Sequence, residues 1–213
     1  MQHLVRAPDG LQQPPVLRGF EHIRRYWDRA NHTFAAKILP GEFYVTRSDE
    51  AVITALGSCV SACIRDRVSG IGGMNHFMLP EVAGGASDDA VCTSTAARYG
   101  SFAMEQLINE IIKAGGRREN LEVKLAGGGR VIANMTADIG GKNIRFAEEY
   151  LHNEGLEISG SCLGGTSPRR VVYFPATGKV RVKKLGGQAV ANEERVYQDR
   201  ISHQKIEGDV ELF

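Results

Sequence analysis

Hydrophobic and polar positions change period several times along this chain, and each change marks an element. Phe43, Val45 and the run 51–56 are rich in β-branched and aromatic residues, so both segments read as strands. Gly57-Ser58-Cys59 interrupts the apolar stretch, 60–64 resumes it, 65–70 is a turn, and 71–79 is a further extended segment closed by Pro80. Met104, Leu107, Ile108, Ile111 and Ile112 then recur at helical spacing and predict a buried stripe on a helix over 94–113, stopped by Gly115-Gly116. A strand over 121–126 follows. Beyond Gly127-Gly128-Gly129 a second helix over 141–153 carries Ile144, Ala147 and Leu151 on one face and ends at Gly155. A strand over 156–162 precedes a hairpin, 171–174 with 179–185, around Pro175-Ala-Thr-Gly178.

Strands outnumber helices, and their order is not a regular βαβα repeat. The expected fold class is therefore α+β, with mixed β-sheets and flanking helices in layers. Residues 1–40 are polar and contain prolines, and read as an N-terminal extension that Tyr26 and Trp27 could pin to the surface. The domain proper spans 41–186, and 187–213 reads as a charged flexible tail.

Composition narrows the function classes. Lys and Arg number 26 against 25 Asp and Glu, so no bulk field draws the chain to nucleic acid or to a membrane surface. No stretch approaches the roughly 20 apolar residues of a membrane span, and the N-terminus has no signal-peptide core, so a cytoplasmic protein without membrane insertion is expected. Four cysteines at irregular spacing do not form a disulfide framework; each is a small buried hydrophobe or a reactive thiol.

Two clusters carry candidate chemistry. Cys59 follows a Gly-Ser step, where the backbone can approach another chain closely and its amides can stabilise an oxyanion. His76 lies in an apolar strand after Gly72-Gly73, and faces Cys59 if the two strands are neighbours joined near Ser69-Gly70. A neighbouring imidazole shifts a thiol toward the thiolate and can protonate a leaving group. Thr54 is the nearest polar residue to orient the histidine. Singly, Cys59 and His76 are each more often core residues; the pairing is what points to catalysis. Cys59 and Cys63 with His76 and Cys92 suggest zinc only weakly, because no paired C-x2-C exists and 59 and 63 lie in a strand pattern. Gly127-Gly128-Gly129-Arg130 lacks the Lys-Ser/Thr of a phosphate loop and reads as a tight turn. Arg169, Arg170, Arg181, Lys183 and Lys184 read as a solvated strand face, with a groove for acidic helices as the alternative.

These residues also match a known pattern. Leu56-Gly-Ser-Cys-Val60, Cys63-Ile-Arg-Asp66 and Gly72-Gly-Met-Asn-His-Phe-Met-Leu-Pro80 closely resemble the CheD family of chemoreceptor glutamine deamidases. The likeness continues through Arg98-Tyr-Gly100, Leu107-Ile-Asn-Glu110, Asn143-Ile144, Leu163-Gly-Gly165 and Thr177-Gly178, and covers roughly 41–185. It implies a cysteine hydrolase with Cys59 as nucleophile, His76 as base and Thr54 completing the site. It implies hydrolysis of glutamine side chains on methyl-accepting chemotaxis receptors, a layered fold akin to bacterial toxin deamidases, and no metal or organic cofactor. Some relatives bind a CheC-type phosphatase, a possible second partner. Ser161-Cys162 stands where relatives often carry an acidic residue. Because the implied target is a helix, the site is expected to be an open groove. The rival reading from another class is a non-catalytic chemotaxis adaptor, and a third is a small-molecule amidase or thioesterase.

Overall fold

Alternating burial along the strands and a three- to four-residue repeat along the helices build two stacked sheets with two helices on one outer face. The computed structural model describes residues 8, 10–80, 95–131, 138–186 and 189–203. In chain order the elements are β1 (Arg24–Asp28), β2 (Thr33–Lys37), β3 (Phe43–Thr46), β4 (Ala51–Leu56), β5 (Val60–Asp66), β6 (Gly72–Asn75), α1 (Thr95–Lys113), β7 (Leu121–Gly127), α2 (Ile139–Asn153), β8 (Ile158–Leu163), β9 (Arg169–Phe174), β10 (Lys179–Lys184) and α3 (Ala189–His203). One sheet has the order β1-β2-β4-β9-β10, the other β3-β6-β5-β7-β8. Each is mixed: β2–β4 and β7–β8 run parallel and the remaining pairs antiparallel. The α+β class with layered mixed sheets is thus observed.

The period of two in β4 divides its residues between two environments. Val52, Thr54 and Leu56 are buried toward the second sheet, while Ala51 and Ile53 join Ala35 and Val172 in a small cluster on the opposite face. On the far side of the second sheet, α1 lies over β3, β5 and β6, and α2 over β5. Met104, Leu107, Ile108 and Ile111 are buried as their spacing predicts, but Ile112 is 38% exposed, because a fifth residue widens the stripe past the contact with the sheet. Truncating any one of the four to alanine costs about 2–5 kcal/mol. Asp138 caps α2 by accepting a hydrogen bond from the Gly141 amide at 3.1 Å.

Two boundaries differ from the sequence reading. Residues within 1–40 are integral to the fold, since β1 and β2 form the edge of the first sheet and β2 runs in parallel register with β4. The pairing joins residues distant in sequence, and the short strands alternate weakly, so local pattern alone read them as an extension. Within 187–213, residues 189–203 form α3, which buries Glu194, Tyr197, Gln198 and Ile201. Charge on its outer face (Arg195, Asp199, Arg200) gave this segment the look of a tail. Cys92 lies outside the described residues.

Candidate active site between the two sheets

The register of the second sheet brings the two sequence clusters together. Val60 and Phe77 exchange backbone hydrogen bonds of 3.0 Å in each direction, so residue 61 lies opposite His76. Residues two apart on a strand share a face, which puts Cys59, Ser61 and His76 on the side that looks toward the first sheet. Thr54 reaches them from across the interlayer. The strands are neighbours as their shared turn predicts, β5 pairing β6 antiparallel.

His76 is 1% exposed and closely held. Its backbone donates to the Glu42 carbonyl at 2.9 Å and accepts from the Gly41 amide at 2.7 Å. Thr54 Oγ1 lies 2.9 Å from the Ile38 carbonyl oxygen and 2.8 Å from Nδ1 of His76. The hydroxyl has one proton, which it donates to the carbonyl; Nδ1 therefore carries its own hydrogen and donates it to Oγ1. That assignment leaves Nε2 unprotonated, and Nε2 is buried with no hydrogen-bond partner. A ring nitrogen of His76, Sγ of Cys59 and a carboxylate oxygen of Glu194 all lie within 4.8 Å of one another.

The loop before Cys59 is clamped by backbone from other elements. Gly128 N donates to the Cys59 carbonyl and Gly129 N to the Gly57 carbonyl, each at 2.7 Å. Gly127 and Gly128 have φ of +118° and +67°, the left-handed region that glycine enters without steric cost, and this tight turn is what the triple glycine supplies. Asn143 of α2 donates from Nδ2 to the Ser58 carbonyl at 2.9 Å and accepts at Oδ1 from the Leu79 amide at 2.9 Å. One side chain thus ties the cysteine loop to the segment after the histidine.

The amides of this loop converge on Glu194 of α3. Oε1 accepts from Gly57 N at 2.6 Å and Cys59 N at 3.2 Å. Oε2 accepts from Ser58 N at 2.7 Å and Ser58 Oγ at 2.8 Å. Three successive N–H groups aimed at one point form a concave anion site, and a carboxylate fills it. A Cβ at Gly57 would lie 2.6 Å from Oε2, so the bare backbone is what admits the carboxylate.

Burial, reinforced by the Glu194 carboxylate, pushes the Cys59 thiol well above its usual range. Burial also depresses His76 to about 4, against a weaker upward pull from Glu194. With Glu194 in place, then, a neutral thiol faces a neutral imidazole, not the ion pair that the adjacency of the two residues suggests. Access differs as well: Cys59 is 0% exposed, whereas an open groove was expected. Cys59 belongs to the core between the sheets, and Glu194 of α3 lies against its loop.

Cys59, His76 and Glu194 offer sulfur, nitrogen and oxygen donors of the kind zinc takes. Each carboxylate oxygen, however, already accepts two hydrogen bonds, which occupy the lone pairs an ion would need. The arrangement is organised for hydrogen bonding to an anion. Sequence reasoning missed three participants. Ser58 lay inside the recognised motif without a role. Asn143, a polar residue buried among the apolar residues of α2, carried a weak signal. Glu194 carried none, being one of many charges near the C-terminus. On the basic hairpin, Arg170 pairs with Asp28 at 3.2 Å and Arg181 lies over the Phe174 ring, consistent with a solvated strand face. Arg169 is the exception: it is buried and donates to the Cys162 carbonyl at 2.6 Å.

Among the described residues no helix is long and apolar enough to cross a membrane. A family model described as CheD chemotactic sensory transduction matches residues 78–184. A protein of Halorhodospira halophila named "Probable chemoreceptor glutamine deamidase CheD" is 55% identical over 209 residues, 96% of each chain. Proteins of the same name from Saccharophagus degradans (49% over 210 residues, 93% of this chain and 94% of the relative) and Methylobacillus flagellatus (51% over 192 residues, 88% and 94%) are similar along nearly all of their lengths. The match runs from before the first strand through the cysteine loop to the C-terminal segment, and the chain belongs to the CheD family.

Proposed function

We propose that this protein is a cytoplasmic cysteine hydrolase that converts glutamine side chains of chemotaxis receptors to glutamate. The name its relatives carry supplies the substrate class. The observation that carries the chemistry is the meeting of Cys59, His76 and a cluster of three amides in one small volume.

In this reading Cys59 is the nucleophile and His76 the base, with Thr54 holding the ring. Nε2, left bare by the Thr54 contact, takes the thiol proton. The thiolate attacks the carboxamide carbon, and the amides of Gly57, Ser58 and Cys59 hold the oxyanion. The C–N bond breaks as the imidazolium protonates departing ammonia, leaving a thioester. Water then loses a proton to Nε2 and adds to the thioester. The C–S bond breaks, the thiolate recovers its proton from the imidazolium, and the new carboxylic acid passes its own through solvent to the released ammonia. No metal or organic cofactor enters these steps. The net change, amide plus water to carboxylate plus ammonium, puts a negative charge on the receptor and acts as a switch.

Mass spectrometry of receptor cytoplasmic fragments, incubated with wild type and with C59A, tests this. Wild type should convert specific glutamines and C59A none; identical behaviour of the two sinks the reading. A purely adaptor role, binding receptors or a CheC-type phosphatase, predicts receptor binding without conversion.

A further inference from the structure

The loop that surrounds Cys59 is already occupied by a side chain of the same chain, and that side chain is a glutamate. Four hydrogen bonds from Gly57, Ser58 and Cys59 satisfy both of its oxygens, and the sulfur lies within 4.8 Å of the carboxylate. The product of glutamine deamidation is also a glutamate side chain, released next to that sulfur. The helix that presents it rests on one narrow face: Glu194, Tyr197, Gln198 and Ile201, at i, i+3, i+4 and i+7, are buried, while Val196 is 70% exposed. Tyr197 is hydrogen-bonded to Tyr99 through the two hydroxyls, and its ring lies so close to Gly41 that a Cβ there would overlap it. One face of an α-helix is thus seated on the rest of the protein, with an anion site beneath it beside the proposed nucleophile.

We propose that α3 occupies the groove that receives a substrate helix, with Glu194 held where the newly formed glutamate of the product is held. The inference rests on the deamidase reading and deepens it in two ways. It says how a helical substrate sits, with one carboxamide projecting into the amides of Gly57, Ser58 and Cys59. It also makes the C-terminal helix a competitor that must leave before a receptor helix can enter. Withdrawal of α3 changes the electrostatics along with the access. The carboxylate that raises the thiol departs and solvent reaches both partners, which brings the thiol down and the imidazole up toward their ordinary ranges and raises the thiolate fraction. Glu194 is therefore both a plug and a suppressor of the nucleophile.

The test uses the full-length protein. In E194A, and independently in Y197A, which loosens the helix without touching the anion site, iodoacetamide should alkylate Cys59 roughly tenfold faster or more than in wild type. Turnover of a receptor fragment should rise with it. In E194Q incubated alone, the protein should act on itself: the introduced carboxamide is hydrolysed to a carboxylate with loss of ammonia, read as the amide-to-acid mass change in that peptide, and E194Q/C59A keeps its amide. Labelling needs no substrate, so it decides the seat of α3 whether or not receptors are deamidated. Receptor conversion by wild type, combined with wild-type labelling in E194A and Y197A and an unchanged amide in E194Q, overturns the inference and leaves the deamidase reading standing. Faster labelling with no receptor conversion by any variant overturns the deamidase reading, and leaves only the seat of α3 over Cys59 standing.

Discussion

Thr54 Oγ1 lies 2.8 Å from Nδ1 of His76, a contact that spans the two sheets and sets which ring nitrogen is free. T54A leaves a buried Nδ1–H without an acceptor, a penalty of about 1–3 kcal/mol. If that penalty falls on the reactive geometry, turnover drops roughly tenfold to a hundredfold. T54S keeps the hydroxyl and should recover most of the rate. Steady-state deamidation of a receptor fragment checks this, and wild-type turnover in T54A would remove Thr54 from the site.

The buried, neutral state of His76 links stability to pH. Its folded value of about 4 lies below the ordinary 6.5, so the unfolded chain takes up a proton first as the medium is acidified. Stability present above the unfolded value is lost as pH falls from there toward the folded one, by at most about 3 kcal/mol for this group. Urea unfolding across that window should show a shallower loss for H76Q than for wild type. Parallel curves would show that His76 is not the group responsible.

Asn143 joins three elements through two hydrogen bonds. N143A leaves the Leu79 amide and the Ser58 carbonyl unpartnered, at about 1–3 kcal/mol for each buried group. N143D keeps the acceptor for Leu79 but buries an unpaired carboxylate against the Ser58 carbonyl, and should be destabilised at least as much as N143A. Denaturant midpoints rank the three proteins; an N143A midpoint equal to wild type would contradict the assignment.

Gly73 and Gly160 both lie in strands of the second sheet, yet a methyl group meets opposite surroundings. At Gly73 it would overlap the Tyr44 carbonyl oxygen and force β3 from β6, whereas at Gly160 its nearest neighbours are Lys124 side-chain atoms at 3.6 and 3.7 Å. G73A should destabilise by about 2 kcal/mol or more. G160A should be neutral or slightly stabilising, since alanine constrains the unfolded chain. Thermal unfolding of the pair settles the contrast.

The pattern of residues along the chain determined a good deal by itself. The period of two in 51–56, the stripe of Met104, Leu107, Ile108 and Ile111, and the glycine stops at 115 and 155 are local properties, expressed wherever a core is available. The nearness of Cys59 and His76 was legible because a shared turn joins their strands, whereas Thr54 comes from the other sheet and was placed only by its position upstream of the cysteine and by the resemblance. Only the tertiary structure decided the rest. The pairing of β2 with β4 closes a distance that no local pattern encodes, so the first forty residues read as an extension. Asn143 and Glu194 act on residues 85 and 136 positions away, through hydrogen bonds whose partners are backbone groups indistinguishable in sequence. Burial decided the charge state of the site. The same thiol and imidazole that adjacency would ionise are held neutral because they are buried between the sheets, and α3 sets a carboxylate beside the sulfur.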